Sequence, residues 1–305
     1  MKHFTVLSDP DASPYETTAQ TRRLKVSWRD RSILALSQGV YRAYIYPVFT
    51  PAGMPVTAEA PVDHVHQQSI TVGTDRFDVY GDPTDEHPSA NYGFYMDETY
   101  KGHAPGKILS RSVESTEIAE NHLRLVQTID WQEPPDWGNP ASFTLAQERR
   151  TIDVYPGDVA NIIDIRSRLM PADRDILVGG TVHGYFVVRI ADGLRPVDGG
   201  TLVDSQGRTG AAQIRGQQAD WVDCTGNAPH GQKAGVAVFP YPASGIGPWH
   251  LSDWGFIMVN PFQVEAKKVR VGEGLEVAMR ILAHDGDVNE AGVANLYESF
   301  RREIE

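Results

Sequence analysis

Between Ile108 and Leu169 the chain runs through four long segments in which apolar and polar residues alternate: Ile108 to Ile118, Leu123 to Trp131, Phe143 to Val154 and Asn161 to Leu169. A period of two marks strands with one face buried, because successive side chains point to opposite faces of a sheet. Turn residues part the runs, Glu120-Asn121 in one place and Tyr155-Pro156-Gly157-Asp158 in another. Strands this long joined by tight turns predict a broad antiparallel sheet and exclude a fold of βαβ units. Asp136-Trp137-Gly138-Asn139-Pro140 interrupts one pair and is expected over the sheet face.

The flanks continue the pattern. Leu24, Val26 and Trp28 alternate with Arg23, Lys25 and Ser27, and Arg29-Asp30-Arg31 turns the chain into Ile33-Leu34-Ala35-Leu36, a hairpin. Tyr41 to Val48 is extended and closes at Pro51-Ala52-Gly53. Later extended segments are Ile176 to Thr181, Gly184 to Ile190, Ala211 to Ile214, Ala219 to Cys224, Lys233 to Pro240, Trp254 to Val259 and Leu275 to Ala283. One helix is predicted over Asn289 to Glu303, where Val293, Leu296, Tyr297 and Phe300 share a face and Arg301 and Arg302 suit the last turn. Thr5 to Gln20 is polar and without period. The expectation is an N-terminal arm over residues 1–20, then a single all-β domain over 21–305, a large antiparallel β-sandwich with one C-terminal helix.

The formal net charge of -12 argues against nucleic acid or an anionic membrane surface as a partner, since either needs a basic patch. No window reaches the length of an apolar span, and the N-terminus lacks the apolar core of a signal peptide. The single cysteine, Cys224, demands no oxidising compartment and reads as a small buried residue, so a cytoplasmic location is expected. Homo-oligomerisation is left open.

Polar residues that a strand pattern does not require fall in four segments. The first is Asp63-His64-Val65-His66-Gln67-Gln68, where His64 and His66 would project from one face if the piece is extended. The second holds His183 and Arg189, the third Trp249, His250 and Asp253, and the fourth Asn260. Gathered on one concave face, they would suit proton transfer on a polyhydroxylated or keto substrate: imidazoles move the proton and Arg189 steadies an oxyanion. Asn260 would bind a hydroxyl and Trp249 would stack on a sugar face, with Asp63, Gln67 and Asp253 among the substrate-binding groups. No cofactor is demanded, though His64 and His66 with a third histidine or Asp63 could hold a divalent metal ion such as Zn²⁺ or Mn²⁺. Gly73 to Gly106 is rich in Gly, Pro, Asp, Asn and Tyr and is expected to form an ordered lid or wall. Glu148 is expected in an ion pair with Arg149 or Arg150. His3, His87, His103, His122, His230 and His284 are read as structural or solvated. Serine-hydrolase elbow, phosphate loop, dinucleotide fingerprint and H-E-x-x-H motifs are all missing.

The blocks Tyr46-Pro47-Val48, Thr50-Pro51-Ala52-Gly53, Asp63-His64-Val65-His66, Gly184-Tyr185-Phe186-Val187-Val188-Arg189, Ala219-Asp220-Trp221-Val222-Asp223, Pro248-Trp249-His250, Asn260-Pro261-Phe262 and Arg280-Ile281-Leu282-Ala283-His284-Asp285-Gly286 resemble, in order, those of the DUF6807 family. The resemblance runs from about Tyr41 to Phe300. The family also carries the label PmoA-like or methane oxygenase, which belongs to a membrane protein and does not suit a chain without a spanning segment. The resemblance implies a sandwich of galactose-mutarotase-like outline and a tie to sugar catabolism. Here Val65-His66-Gln67-Gln68 stands where the family has a His-His-Arg cluster, so one imidazole and one guanidinium are replaced. The functional expectation is a carbohydrate-active enzyme, a lyase, hydrolase or epimerase acting on a small-molecule sugar, glycoside or keto-sugar; the alternative is a non-catalytic sugar-binding module.

Overall fold

The computed structural model describes residues 3–9, 22–134, 142–228, 231–245 and 247–305. Among these, two eight-stranded sheets face one another. The front sheet runs in the order Phe4–Asp9, Arg22–Trp28, Arg31–Gln38, Ala43–Val48, Ile70–Thr74, Gly184–Arg189, Phe256–Val259, His250–Ser252. The rear sheet runs Thr201–Asp204, Val222–Asn227, Lys233–Pro240, Leu275–Asp285, Ala160–Pro171, Thr144–Tyr155, His122–Gln132, Lys107–Ala119. All pairings within both sheets are antiparallel.

Register explains why these segments choose each other. Leu125, Ile152, Ile165 and Met279 stand side by side across four rear strands. Leu36, Ile45, Ile70, Val188, Ile257 and Leu251 do the same across six front strands. Both rows lie in one buried cluster, so the sheets are the two halves of a sandwich. A slip of one residue would turn either row to the outside, at roughly 1.5–3 kcal/mol for each side chain exposed. Inside the sandwich Arg150 is clamped on Glu148, at 2.8 and 2.9 Å, and Trp131 donates to the same carboxylate at 3.0 Å. The ion pair thus goes to Arg150, two residues along and on the same face, and not to Arg149.

The outer face of the rear sheet is covered by the helix Val293–Ile304, whose Val293, Tyr297 and Phe300 pack on Ala237, Phe239, Ala278 and Leu282. It begins later than the apolar pattern suggested, because Asp287 accepts the backbone N–H groups of Asn289 and Glu290 and holds that stretch in a turn. Three features were not anticipated. Phe4–Asp9, inside the irregular lead-in, is a strand paired with Arg22–Trp28. Ala211–Ile214, expected as extended, is one turn of helix. Gly73 to Gly106 contributes Phe77–Val79, Ala90–Gly93 and Ala104–Pro105 to a third, five-stranded sheet with Ile176–Val178 and Lys267–Val269. The Asp136 to Pro140 stretch and His230 lie outside the described residues.

Candidate functional site

The next row of the front sheet faces away from the core. Tyr44, Thr71, Val187, Met258 and His250 stand in register across it, and the strand period that buries Ile257 and Leu251 therefore aims His250 outward. Over this row lies a cavity of about 280 Å³. His64, His66, Gln67, Tyr95, Met96, Tyr100, His183, Arg215, His250, Phe256 and Met258 line it. The four histidines singled out in the sequence thus meet in one hollow. The ring centroids of His64 and His66 are 5.6 Å apart and those of His183 and His250 6.0 Å.

His64 and His66 arrive there by another route than the one expected. Their segment is not extended: His64 N–H bonds to Pro61 O at 3.0 Å and Gln67 N–H to His64 O at 2.9 Å, which makes two successive turns. Buried arginines hold this loop down. Arg189 gives two bonds to Asp63, at 2.7 and 2.9 Å, and one to Gln67 at 2.9 Å. Arg42 binds the carbonyls of His66 and Tyr95, at 2.8 and 2.5 Å, and pairs with Asp97. Asp63 in turn bonds His64 Nδ1 at 2.9 Å.

His183 stands just before the strand Gly184–Arg189, with its Nδ1 2.9 Å from Asp75 Oδ2. Its ring lies flat on Tyr95, with centroids 5.1 Å apart and planes 5° from parallel. Asp75 is 4% exposed. Burial pushes its carboxyl up, but the bonds from His183 and Thr181 outweigh that and hold it below the ordinary value. An ionised Asp75 accepts a hydrogen bond from Nδ1–H, which favours the tautomer of His183 with its lone pair on Nε2. Burial first, then Arg42 and the neighbouring imidazoles, brings His66 down to about 3; burial, His183 and Arg215 bring His250 down to about 4. Both rings are neutral at pH 7.

Five residues expected at a substrate have other partners. Arg189 is fully buried and absent from the cavity lining, and its bonds brace the loop that carries His64 and His66. Asp63 is spent on Arg189 and His64. Trp249 is 2% exposed in the core, with Nε1 donating to Ala219 O at 3.0 Å, and offers no stacking face. Asp253 accepts Ala211 N–H at 2.9 Å. Asn260 ties Thr181 O and Phe262 N–H, at 2.8 and 3.0 Å, and so secures the loop carrying His183. The sequence did not single out Asp75, Arg215, Phe256 or Met258; Tyr95 and Tyr100 fall in the Gly73 to Gly106 stretch expected as a lid or wall. Among the described residues no three His, Cys, Asp or Glu side chains are grouped so as to hold a metal ion, and no helix is long and apolar enough to cross a membrane.

A model described as a family of unknown function, DUF6807, matches residues 25–298. The chain belongs to the DUF6807 family. Among solved structures, this DUF6807 member is similar to a candidate aldose 1-epimerase from Escherichia coli K12, at 8% identity and a TM-score of 0.35, over 83% of this chain and 96% of that one. It is also similar to a candidate mutarotase, YeaD, from Salmonella typhimurium, at 10% identity and a TM-score of 0.29, over 86% and 94%. Neither likeness bears on the chemistry. No curated protein matches the sequence significantly.

Proposed function

We propose that the protein is a carbohydrate-active enzyme that moves a proton on a keto-sugar or related sugar bound in the histidine cavity. The observation that carries this reading is the Asp75–His183 pair opposite a neutral His250, with His64 and His66 on the same hollow. Nε2 of His183 takes a proton from a carbon beside the carbonyl. The C–H electron pair becomes the new C=C bond and the carbonyl oxygen takes the negative charge. Neutral imidazoles at His250 and His66 donate N–H bonds to that oxygen, which suits them because they enter the step uncharged. Return of the proton to the carbon gives an epimerase. Departure of a substituent from the next carbon with its bonding electrons, protonated as it leaves, gives a lyase. Tyr95, Phe256 and Met258 supply the apolar floor on which a sugar ring rests.

The test is exchange of carbon-bound hydrogen in D₂O. Protein incubated with 3-keto-glycosides and their parent sugars should wash out the C–H signal next to the carbonyl, and His183→Ala should stop this while keeping the circular dichroism spectrum. Shifts of ligand resonances without exchange or product would favour the sugar-binding module instead.

A further inference from the structure

The lining of the cavity is unbalanced in charge, although the chain as a whole carries a net charge of -12. Among the described residues that line it there is no carboxylate. The carboxylates nearby are already taken: Asp63 by Arg189, Asp97 by Arg42, and Asp75 by His183 with Lys101 at 3.8 Å. Arg215 differs from the other arginines around the site. Its Nε donates to Leu251 O at 2.9 Å, which fixes the plane of the guanidinium beside the His250–Ser252 strand. Among the described residues no carboxylate pairs with it, and the group is exposed at the cavity wall.

Neutral sugars are usually gripped by side chains that accept hydrogen bonds from their hydroxyls, carboxylates and carboxamides among them. This lining offers one carboxamide, on Gln67, and both its ends are engaged, Oε1 by Arg189 and Nε2 by Tyr95. Beside the imidazoles that the proposed step uses, the lining offers one charged group, a guanidinium whose Nη edge has no partner among the described residues, and that edge fits a carboxylate or phosphate. Resting on the proposed function, we infer that the sugar taken by this site is an anionic one, a sugar acid or a sugar phosphate, whose charged group seats on the Nη edge of Arg215 beside His250. Arg215 is then the specificity-determining residue of the cavity. Burial does most to keep His250 neutral and the charge of Arg215 adds to it; an anion on Arg215 offsets that charge, so its binding raises the affinity of the imidazole for a proton.

The experiment titrates the intact protein with glucuronate, gluconate, glucose 6-phosphate, glucose and inorganic phosphate, by calorimetry and by NMR of the imidazole C–H resonances. The expected result is binding of one of the two anionic classes about tenfold or more tighter than glucose. Arg215→Gln should erase that preference and leave glucose within about twofold, and Arg215→Lys, which keeps the charge, should restore part of it. Glucuronate and gluconate as against glucose 6-phosphate decide between carboxylate and phosphate. Acids bound as tightly by Arg215→Gln as by the wild type, or glucose bound as tightly as the acids, overturns the inference while leaving the sugar site in place. Inorganic phosphate binding as well as glucose 6-phosphate, with no gain from the sugar, overturns it as well. If no saccharide moves any imidazole resonance, the proposed function itself fails.

Discussion

His183 Nδ1 and Asp75 Oδ2 stand 2.9 Å apart across 108 residues of chain, one group at the end of a front-sheet strand and the other in the loop that follows its neighbour. The contact fixes which nitrogen of His183 is free to act. Asp75→Asn keeps the shape but offers the ring an amide, which can settle the opposite tautomer. On the proposed function, turnover of a keto-sugar should fall by about a hundredfold or more with KM nearly unchanged, measured by steady-state kinetics.

Low pH should loosen the fold through His66 and His250. Their folded values, about 3 and about 4, lie below the ordinary 6.5, so the unfolded chain binds more protons between those limits. Stability is therefore expected to fall as pH drops from about 6.5 toward 4. Denaturant unfolding followed at several pH values should give a flatter acid limb for the double variant His66→Gln with His250→Gln.

His284 works in the opposite sense. Burial alone would lower its value, but Asp223, with Oδ2 2.7 Å from Nε2, and the backbone carbonyls nearby raise it. Its contribution is then complete below the unfolded value of about 6.5 and is lost as pH rises through the raised folded one. His284→Leu should cost most stability near pH 5 and less at pH 9, read from denaturant midpoints.

Arg150→Met strands Glu148 inside the sandwich. Leaving a buried charge without its partner should cost about 3–5 kcal/mol of unfolding free energy. Adding Glu148→Leu should recover most of the loss, in a urea titration of the single and double variants.

Trp249→Phe tests the reassignment of that ring to the core. The loss is the bond to Ala219 O and part of the ring's packing, about 1–3 kcal/mol of stability, with KM for the sugar unmoved; a rise in KM at constant stability would return Trp249 to the substrate.

The sheets were legible because binary alternation is a local signal: Leu123 to Trp131 reads as half-buried whatever it pairs with. The meeting of His64, His66, His183 and His250 followed from noticing polar residues where apolar ones would serve. Their supports were not legible. Asp75 sits in Gly73-Thr74-Asp75-Arg76, where a carboxylate reads as a turn residue, and only the tertiary fold brings His183 to it. Arg189 and Asn260 stand out as polar residues among apolar ones, yet a buried polar group signals only that a partner exists. In both cases the partner is the loop bearing a histidine, not a ligand. Trp249 shows the converse, since an indole beside a histidine fits a core as readily as a cleft.

The rear sheet is covered by its helix, whereas among the described residues those lining the cavity come from loops, from the short helical turn's exit, or from the outward face of the front sheet. Changes to the lining of the hollow therefore need not disturb the rows that hold the two halves together. A scaffold divided in this way can exchange the side chains of its hollow over generations while the register between its strands stays the same.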